Sequence, residues 1–177
     1  MPAATPDLNG IANILHELAV PASVIDSYRL PRQPETAHLI AIGLDMFGRE
    51  QRMDPAAAAQ WHNLVAAANR ESVTLLLVSA FRSVEYQRKI IERRLAEGLS
   101  LEKILRQSAL PGFSEHHTGR AVDIGTSGCL PLTEDFENTP AFAWLDNNAQ
   151  KFGFKLSYPR NNPFGIIYEP WHWLFNG

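Results

Sequence analysis

The last third of the chain holds three short β-forming segments, "RAVDIGT" (120–126), "FKLSYP" (154–159) and "GIIYEPWHW" (165–173), with one helical stretch, "TPAFAWLDNNAQKFG" (139–153), among them. Strands this close in sequence, joined by loops or a single helix, favour an α+β domain with a central antiparallel sheet and helices packed mainly on one side. The polar residues of the first and third segments then lie on neighbouring strands or at their ends.

Upstream, "MDPAAAAQWHNLVAAANRE" opens with Asp54 as N-cap and Pro55 at the first helical position, a strong helix start. "SVTLLLVSA" follows as a buried strand. "SVEYQRKIIERRLAEGL" reads as a helix capped by Ser83 and stopped by Gly98, and a shorter helix spans about 100–108. Nearer the N-terminus, Leu8, Ile11, Leu15 and Leu18 keep helical spacing, and "HLIAIGLDMF" (38–47) reads as a strand ending in a turn at Gly48. With 177 residues, 45% of them hydrophobic, one domain is expected. Residues 53–177 form its core and 1–52 an extension that covers part of it.

A formal net charge of −3 supplies no basic field for phosphate backbones or anionic lipid, so neither nucleic acid nor a membrane is expected as partner. Cys129 is the only cysteine, which leaves any metal to His, Asp or Glu. The start of the chain lacks the basic and unbroken apolar pattern of a signal peptide, and the longest apolar run falls far short of the ~20 residues that span a bilayer. A cytoplasmic location is the resulting expectation.

Catalytic zinc takes three protein ligands and keeps a fourth position for water. His116 and Asp123, with six residues between them, suit a loop returning onto a strand, and strand pairing can bring His172 to them. Glu169 stands three residues before His172. In a regular strand the two would face opposite ways, but Pro170 makes a bend plausible and would let Glu169 act as general base. Each half has a plainer reading: "HHTGRAVD" alone also fits a hydrogen-bonded turn, and "EPWHW" alone a packed strand. Together, in a chain with six histidines, they are far more specific.

"SEHHTGRAVD" with "EPWHW" resembles the Ser-x-His-x-x-Gly-x-Ala-x-Asp and Glu-x-x-His patterns of the VanY-type zinc D-alanyl-D-alanine carboxypeptidases, a family grouped with lysostaphin-like peptidases and the hedgehog domain. "SAFRSVEYQ" resembles the family's Ser-x-Tyr-Arg-Ser segment and following glutamine. The resemblance implies one zinc ion on His116, Asp123 and His172, with Glu169 as the base that takes a proton from the zinc-activated water. It further implies Arg82 on the substrate's terminal carboxylate and Gln87 and Ser114 lining the substrate site. An arginine fork suits a carboxylate because it binds both oxygens. A base that must be ionised at working pH is expected beside positive charge rather than in an apolar pocket. Phe81 departs from the pattern, standing where tyrosine is usual, and His117 stands where relatives often have glutamine. His117 is expected behind the ligands or at the rim. Of Trp171 and Trp173, one is expected in the core and the other, taken as Trp171, on the cleft wall. His16, His38 and His62 are read as surface or packing residues.

The implied substrate is a peptidoglycan stem peptide or muropeptide ending in D-Ala. Supply inside a cell favours L,D-cleavage of recycled tetrapeptides over D,D-cleavage of precursors ending in D-Ala-D-Ala. A hedgehog-like binding module needs neither Glu169 nor Arg82. A phage-type endolysin would more often carry a wall-binding domain or a basic charge.

Overall fold

The computed structural model describes residues 8–177. It opens with helices α1 (Leu8–Glu17) and α2 (Ala22–Asp26), then a hairpin of strands β1 (Ile40–Leu44) and β2 (Glu50–Met53), and helix α3 (Pro55–Arg70). Strand β3 (Leu76–Ser79), helices α4 (Val84–Ala96) and α5 (Leu101–Leu105), a 3-10 turn (Glu115–Thr118) and strand β4 (Ala121–Gly125) come next. Helix α6 (Pro140–Asn148) leads to strands β5 (Phe154–Leu156) and β6 (His172–Phe175). The sheet runs β3-β4-β6-β5 and every pairing is antiparallel, as the short connections require.

Most helix starts follow from side-chain caps. Asp54 accepts from the amides of Ala56 and Ala57, Ser83 from Tyr86 and Thr139 from Phe142, each replacing a partner that the first helical turn lacks. Of the spacing read along α1, Ile11, Leu15 and Leu18 are buried, whereas the side chain of Leu8 lies outside the described residues.

The strand alternation divides the sheet into two faces. Val122, Ile124, Trp173 and Phe175 join α3 (Ala57, Ala58, Trp61, Leu64) and α6 (Ala141, Trp144, Leu145) in the main core. Asp123 and His172, which alternate with them along the strands, are direct cross-strand partners on the opposite face. A second apolar cluster joins α1, α4 and α5 through Ile11, Leu15, Ile91 and Ile104, and Tyr158 belongs to it. The helices therefore form two groups rather than one layer.

Several boundaries differ from expectation, among them "FKLSYP", which is strand only over Phe154–Leu156, and "SVTLLLVSA", which is strand only over Leu76–Ser79. "GIIYEPWHW" is strand only from His172 onward, because the proline at 170 has no N–H for a ladder and the Glu169 amide turns to the carbonyl of Tyr158 (3.0 Å). The helix expected over 100–108 ends at Leu105. The first strand is shorter than 38–47 and pairs with β2, which the sequence pattern did not reveal because its residues "EQRM" are polar apart from Met53.

Candidate metal centre

Asp123 and His172 are placed by β4–β6 pairing, and His116 by the 3-10 turn that enters β4. That turn closes on Gly119 at φ +69°, and a Cβ there would lie 2.8 Å from Leu39 Cδ2 and 2.9 Å from the Asp54 amide nitrogen. Glycine is required on both counts. The three side chains are buried, and one donor atom from each falls within 4.8 Å of the others.

Two distances test the fit to a metal. Asp123 Oδ1 is 3.3 Å from His116 Nε2 and 3.1 Å from His172 Nδ1. Ligand bonds of ~2.0–2.1 Å in a tetrahedron put neighbouring donors about 3.3 Å apart, so these residues suit a small ion such as zinc. Among the described residues no other His, Cys, Asp and Glu side chains form such a group.

Each histidine has its second ring nitrogen occupied. His116 Nδ1 donates to the carbonyl of Ala80 (2.5 Å), which leaves the Nε2 lone pair facing the site. Burial, helped by Arg82, holds His116 down to about 4, so it stays neutral. His172 Nε2 donates to Glu115 Oε2 (2.9 Å), and Ser157 Oγ donates to the same oxygen (2.6 Å). Burial alone would lower His172, but hydrogen bonds to Asp123 and Glu115 raise it to about 10. Its Nδ1 therefore carries a proton toward Asp123 that an incoming cation must displace. Asp123 is held well below the usual carboxylate range, because His116 and Arg82 outweigh its burial.

Glu169 Oε2 lies 3.8 Å from His172 Nδ1 and belongs to none of the donor pairs above. The expectation of a base stabilised by positive charge holds only in part. Its carboxyl is buried, desolvation pushes it up to about 7, and the pull of His172 and Arg82 is opposed by Asp123 and Glu115. Arg82 does not stand apart from the donors: its Nη2 donates to Asp123 Oδ2 (2.6 Å) and to His116 Nε2 (2.5 Å).

Arg82, Gln87, Ser114, His116, Asp123, Glu169, Trp171 and His172 all line one cleft of about 360 Å³. Gln87 is fully buried, with Nε2 donating to the Ala109 carbonyl (2.7 Å) and Oε1 unpartnered among the described residues. Trp171 serves both the core and the cleft wall, and Trp173 packs in the core with Nε1 on the Pro170 carbonyl. His117 is buried behind the ligands. Its Nδ1 donates to the Arg82 carbonyl (2.7 Å) and its Nε2 accepts from the Gly112 amide (3.1 Å), a donor–acceptor pair that a glutamine amide also offers. His16, His38 and His62 are exposed and line no part of the cleft.

Sequence reasoning missed Glu115 and Tyr158. Glu115 stands directly before the first ligand, and the need of a ligand histidine for an outer partner was the available signal. The Tyr158 ring lies 4.8 Å from that of His172, a tertiary contact with no local signature.

Asp123 and His172 on one sheet face and His116 on the turn beside it, with the carboxylates of Glu115 and Glu169 next to them, form a candidate mononuclear metal site in a protein of the α+β class. Residues 50–177 match the VanY family, described as D-alanyl-D-alanine carboxypeptidase, and the chain belongs to that family. It is 32% identical to the bifunctional D-Ala-D-Ala dipeptidase and D-Ala-D-Ala carboxypeptidase VanXYC of Enterococcus gallinarum, over 85% of this chain and 80% of that one. Among solved structures it resembles the LD-carboxypeptidase LdcB (TM-score 0.73, 32% identity, 85% of this chain and 73% of that one). It also resembles a glutamate-to-alanine mutant of the vancomycin-resistance D,D-pentapeptidase VanY in complex with Zn(II) (TM-score 0.65, 28% identity, 85% of each chain). The chain spans 64% and 53% of the length of two further curated relatives. Among the described residues no helix is long and apolar enough to cross a membrane.

Proposed function

We propose that this chain is a zinc carboxypeptidase that releases the C-terminal D-Ala of peptidoglycan stem peptides, with a preference for the L,D bond of tetrapeptides. The observation that carries the reading is the donor triangle around Asp123 Oδ1, with edges of 3.3 and 3.1 Å, next to a carboxylate that is not part of it.

His116, Asp123 and His172 would hold the ion, one per chain. Zinc, when bound, supplies a Lewis acid for the scissile carbonyl and lowers the pKa of water at the site to about 7. Glu169 accepts the proton of the attacking water and returns it to the leaving amine. Arg82 reaches the same cleft with a forked donor and takes the substrate carboxylate, while Gln87, Ser114 and the Trp171 face enclose the terminal residue. A Glu169 and an Arg82 in one cleft argue against a purely binding role.

The L,D preference is supported by the likeness to LdcB, which exceeds that to the D,D-pentapeptidase in both identity and TM-score. A D,D-activity is the second reading, favoured by the VanXYC relative. Zinc-loaded protein incubated with purified tetrapeptide and pentapeptide separates them by the D-Ala released. Release from the tetrapeptide, abolished by a chelator and restored by zinc, is expected. Release from the pentapeptide alone would refute the L,D preference, and release from neither by zinc-bound protein would refute the carboxypeptidase reading.

A further inference from the structure

Behind the donor triangle, strand β2 grips the peptide groups on both sides of Ala80. Gln51 Oε1 accepts from the Ala80 amide (3.0 Å), and the Arg52 carbonyl accepts from the Phe81 amide (3.2 Å). The Phe81 amide and the Ala80 carbonyl share one planar trans peptide, so they point in opposite directions. Pinning the amide on β2 therefore aims the carbonyl away from β2, and there it accepts from His116 Nδ1.

Gln51 is itself held. Its Nε2 donates to Asp45 Oδ2 (2.8 Å), and the same carboxylate accepts from the amides of Phe47 (2.9 Å) and Arg49 (3.0 Å) and from Arg49 Nε (2.7 Å). The Asp45 side chain is fully buried, and Arg49 Nη2 continues to the Val78 carbonyl (3.0 Å) on β3. Hydrogen bonds thus run from the turn of the β1–β2 hairpin through Gln51 to the Ala80 amide and, across the backbone of Ala80, from its carbonyl to a candidate metal-donor histidine. A glutamine serves here because it must donate to a carboxylate and accept from an amide at once. Four donors satisfy the buried carboxylate and fix its position, so it can hold the Gln51 amide in place.

We propose that Gln51, locked by Asp45, is a positioning residue for the metal centre. Gripping the Ala80 amide beside the Arg52–Phe81 bond, it fixes the segment whose carbonyl accepts from His116 Nδ1, and so the ring orientation that presents Nε2 to the ion. This rests on the reading of His116 as a ligand, but its effect on the His116 ring exists with or without metal. It also assigns a role to a hairpin lying mostly in the segment before the core, whose strand β2 has no chemistry of its own.

The test uses the full chain with Gln51→Met, which keeps the side-chain length and removes both hydrogen bonds. Zinc affinity is measured by competition with a chromogenic chelator, and the His116 Nδ1–H hydrogen bond of the metal-free protein by the chemical shift of that proton in 1H–15N NMR. Outer-shell losses typically cost 10–100-fold in metal affinity, so a drop of about tenfold is expected, together with a weaker Nδ1–H bond to the Ala80 carbonyl, seen as an upfield shift of the His116 Nδ1 proton. Should Gln51→Met fail to fold, Asp45→Asn gives the same answer, because an amide nitrogen then faces the Gln51 donor and releases it. Folded variants that bind zinc within about twofold of the parent and leave the His116 Nδ1 proton shift unchanged would overturn the proposal. A parent that bound no zinc would instead refute the metal-site reading, and the Nδ1–H measurement would still decide this one.

Discussion

Replacing Glu169 by glutamine should make the metal-free protein more stable at alkaline pH while destroying its activity. Burial raises the Glu169 carboxyl from 4.5 to about 7, a disfavoured ionisation only partly relieved by His172 at 3.8 Å. A carboxyl whose folded pKa lies above its unfolded value costs stability only where it must ionise. The cost is absent below pH 4.5, grows as pH rises toward 7, and is complete above that. At about 1.4 kcal/mol per pH unit the full cost is about 3 kcal/mol, an upper figure because a relaxing site admits water. A glutamine amide in its place never ionises. Chelator-treated Glu169→Gln protein should therefore exceed the parent by about 1–3 kcal/mol near pH 8.5, or roughly 3–10 °C in Tm, and match it near pH 4.5. The zinc-loaded variant should retain the ion but lose about 10²–10⁴-fold in turnover, the usual contribution of a positioned base. Thermal melts at the two pH values and a D-Ala release assay measure both. A variant no more stable than the parent at alkaline pH, or equally stabilised at both, would refute the assignment of the cost to the buried carboxylate.

Glu115→Leu removes the acceptor of the His172 Nε2 proton, so zinc affinity should fall about 10–100-fold in a chelator competition, whereas Glu115→Gln keeps an acceptor and should lose less; unchanged affinity in the leucine variant would show that Glu115 does not orient His172. Gly119→Ala must adopt φ +69° with its methyl 2.9 Å from the Asp54 amide nitrogen, which is itself bonded to the Gly119 carbonyl and cannot withdraw. A loss of about 2 kcal/mol or more in urea unfolding is expected, and a loss below about 0.5 would contradict the close-packed geometry.

Caps, periodicity and residue chemistry are local, and they were legible. Asp54, Ser83 and Thr139 announced three helices because an N-cap acts within three residues of itself. The Ser-x-His-x-x-Gly-x-Ala-x-Asp segment pointed to candidate metal donors only together with "EPWHW", because each stretch alone also fits a turn or a packed strand and their meeting is made by strand pairing. β2 was not legible, since its polar residues bury only Met53 and its role is to bond to Ala80 and Phe81 in another element.

By itself, the sequence determined the antiparallel α+β class, the ligand types and the motif that places this chain among VanY-type proteins, because these depend on residue identity and short-range spacing. Only the tertiary structure decided how the donors are held. That Glu115 takes the far nitrogen of His172, that the Ala80 carbonyl takes that of His116, and that Arg82 lies against both His116 and Asp123 are contacts across 34 to 57 residues of chain. Such contacts follow from which face each strand turns to the cleft and how much water the packing excludes. The same exclusion of water brings Glu169 to about 7, against the expectation from its charged neighbours, since desolvation depends on everything packed around a group and not on the residues beside it in sequence.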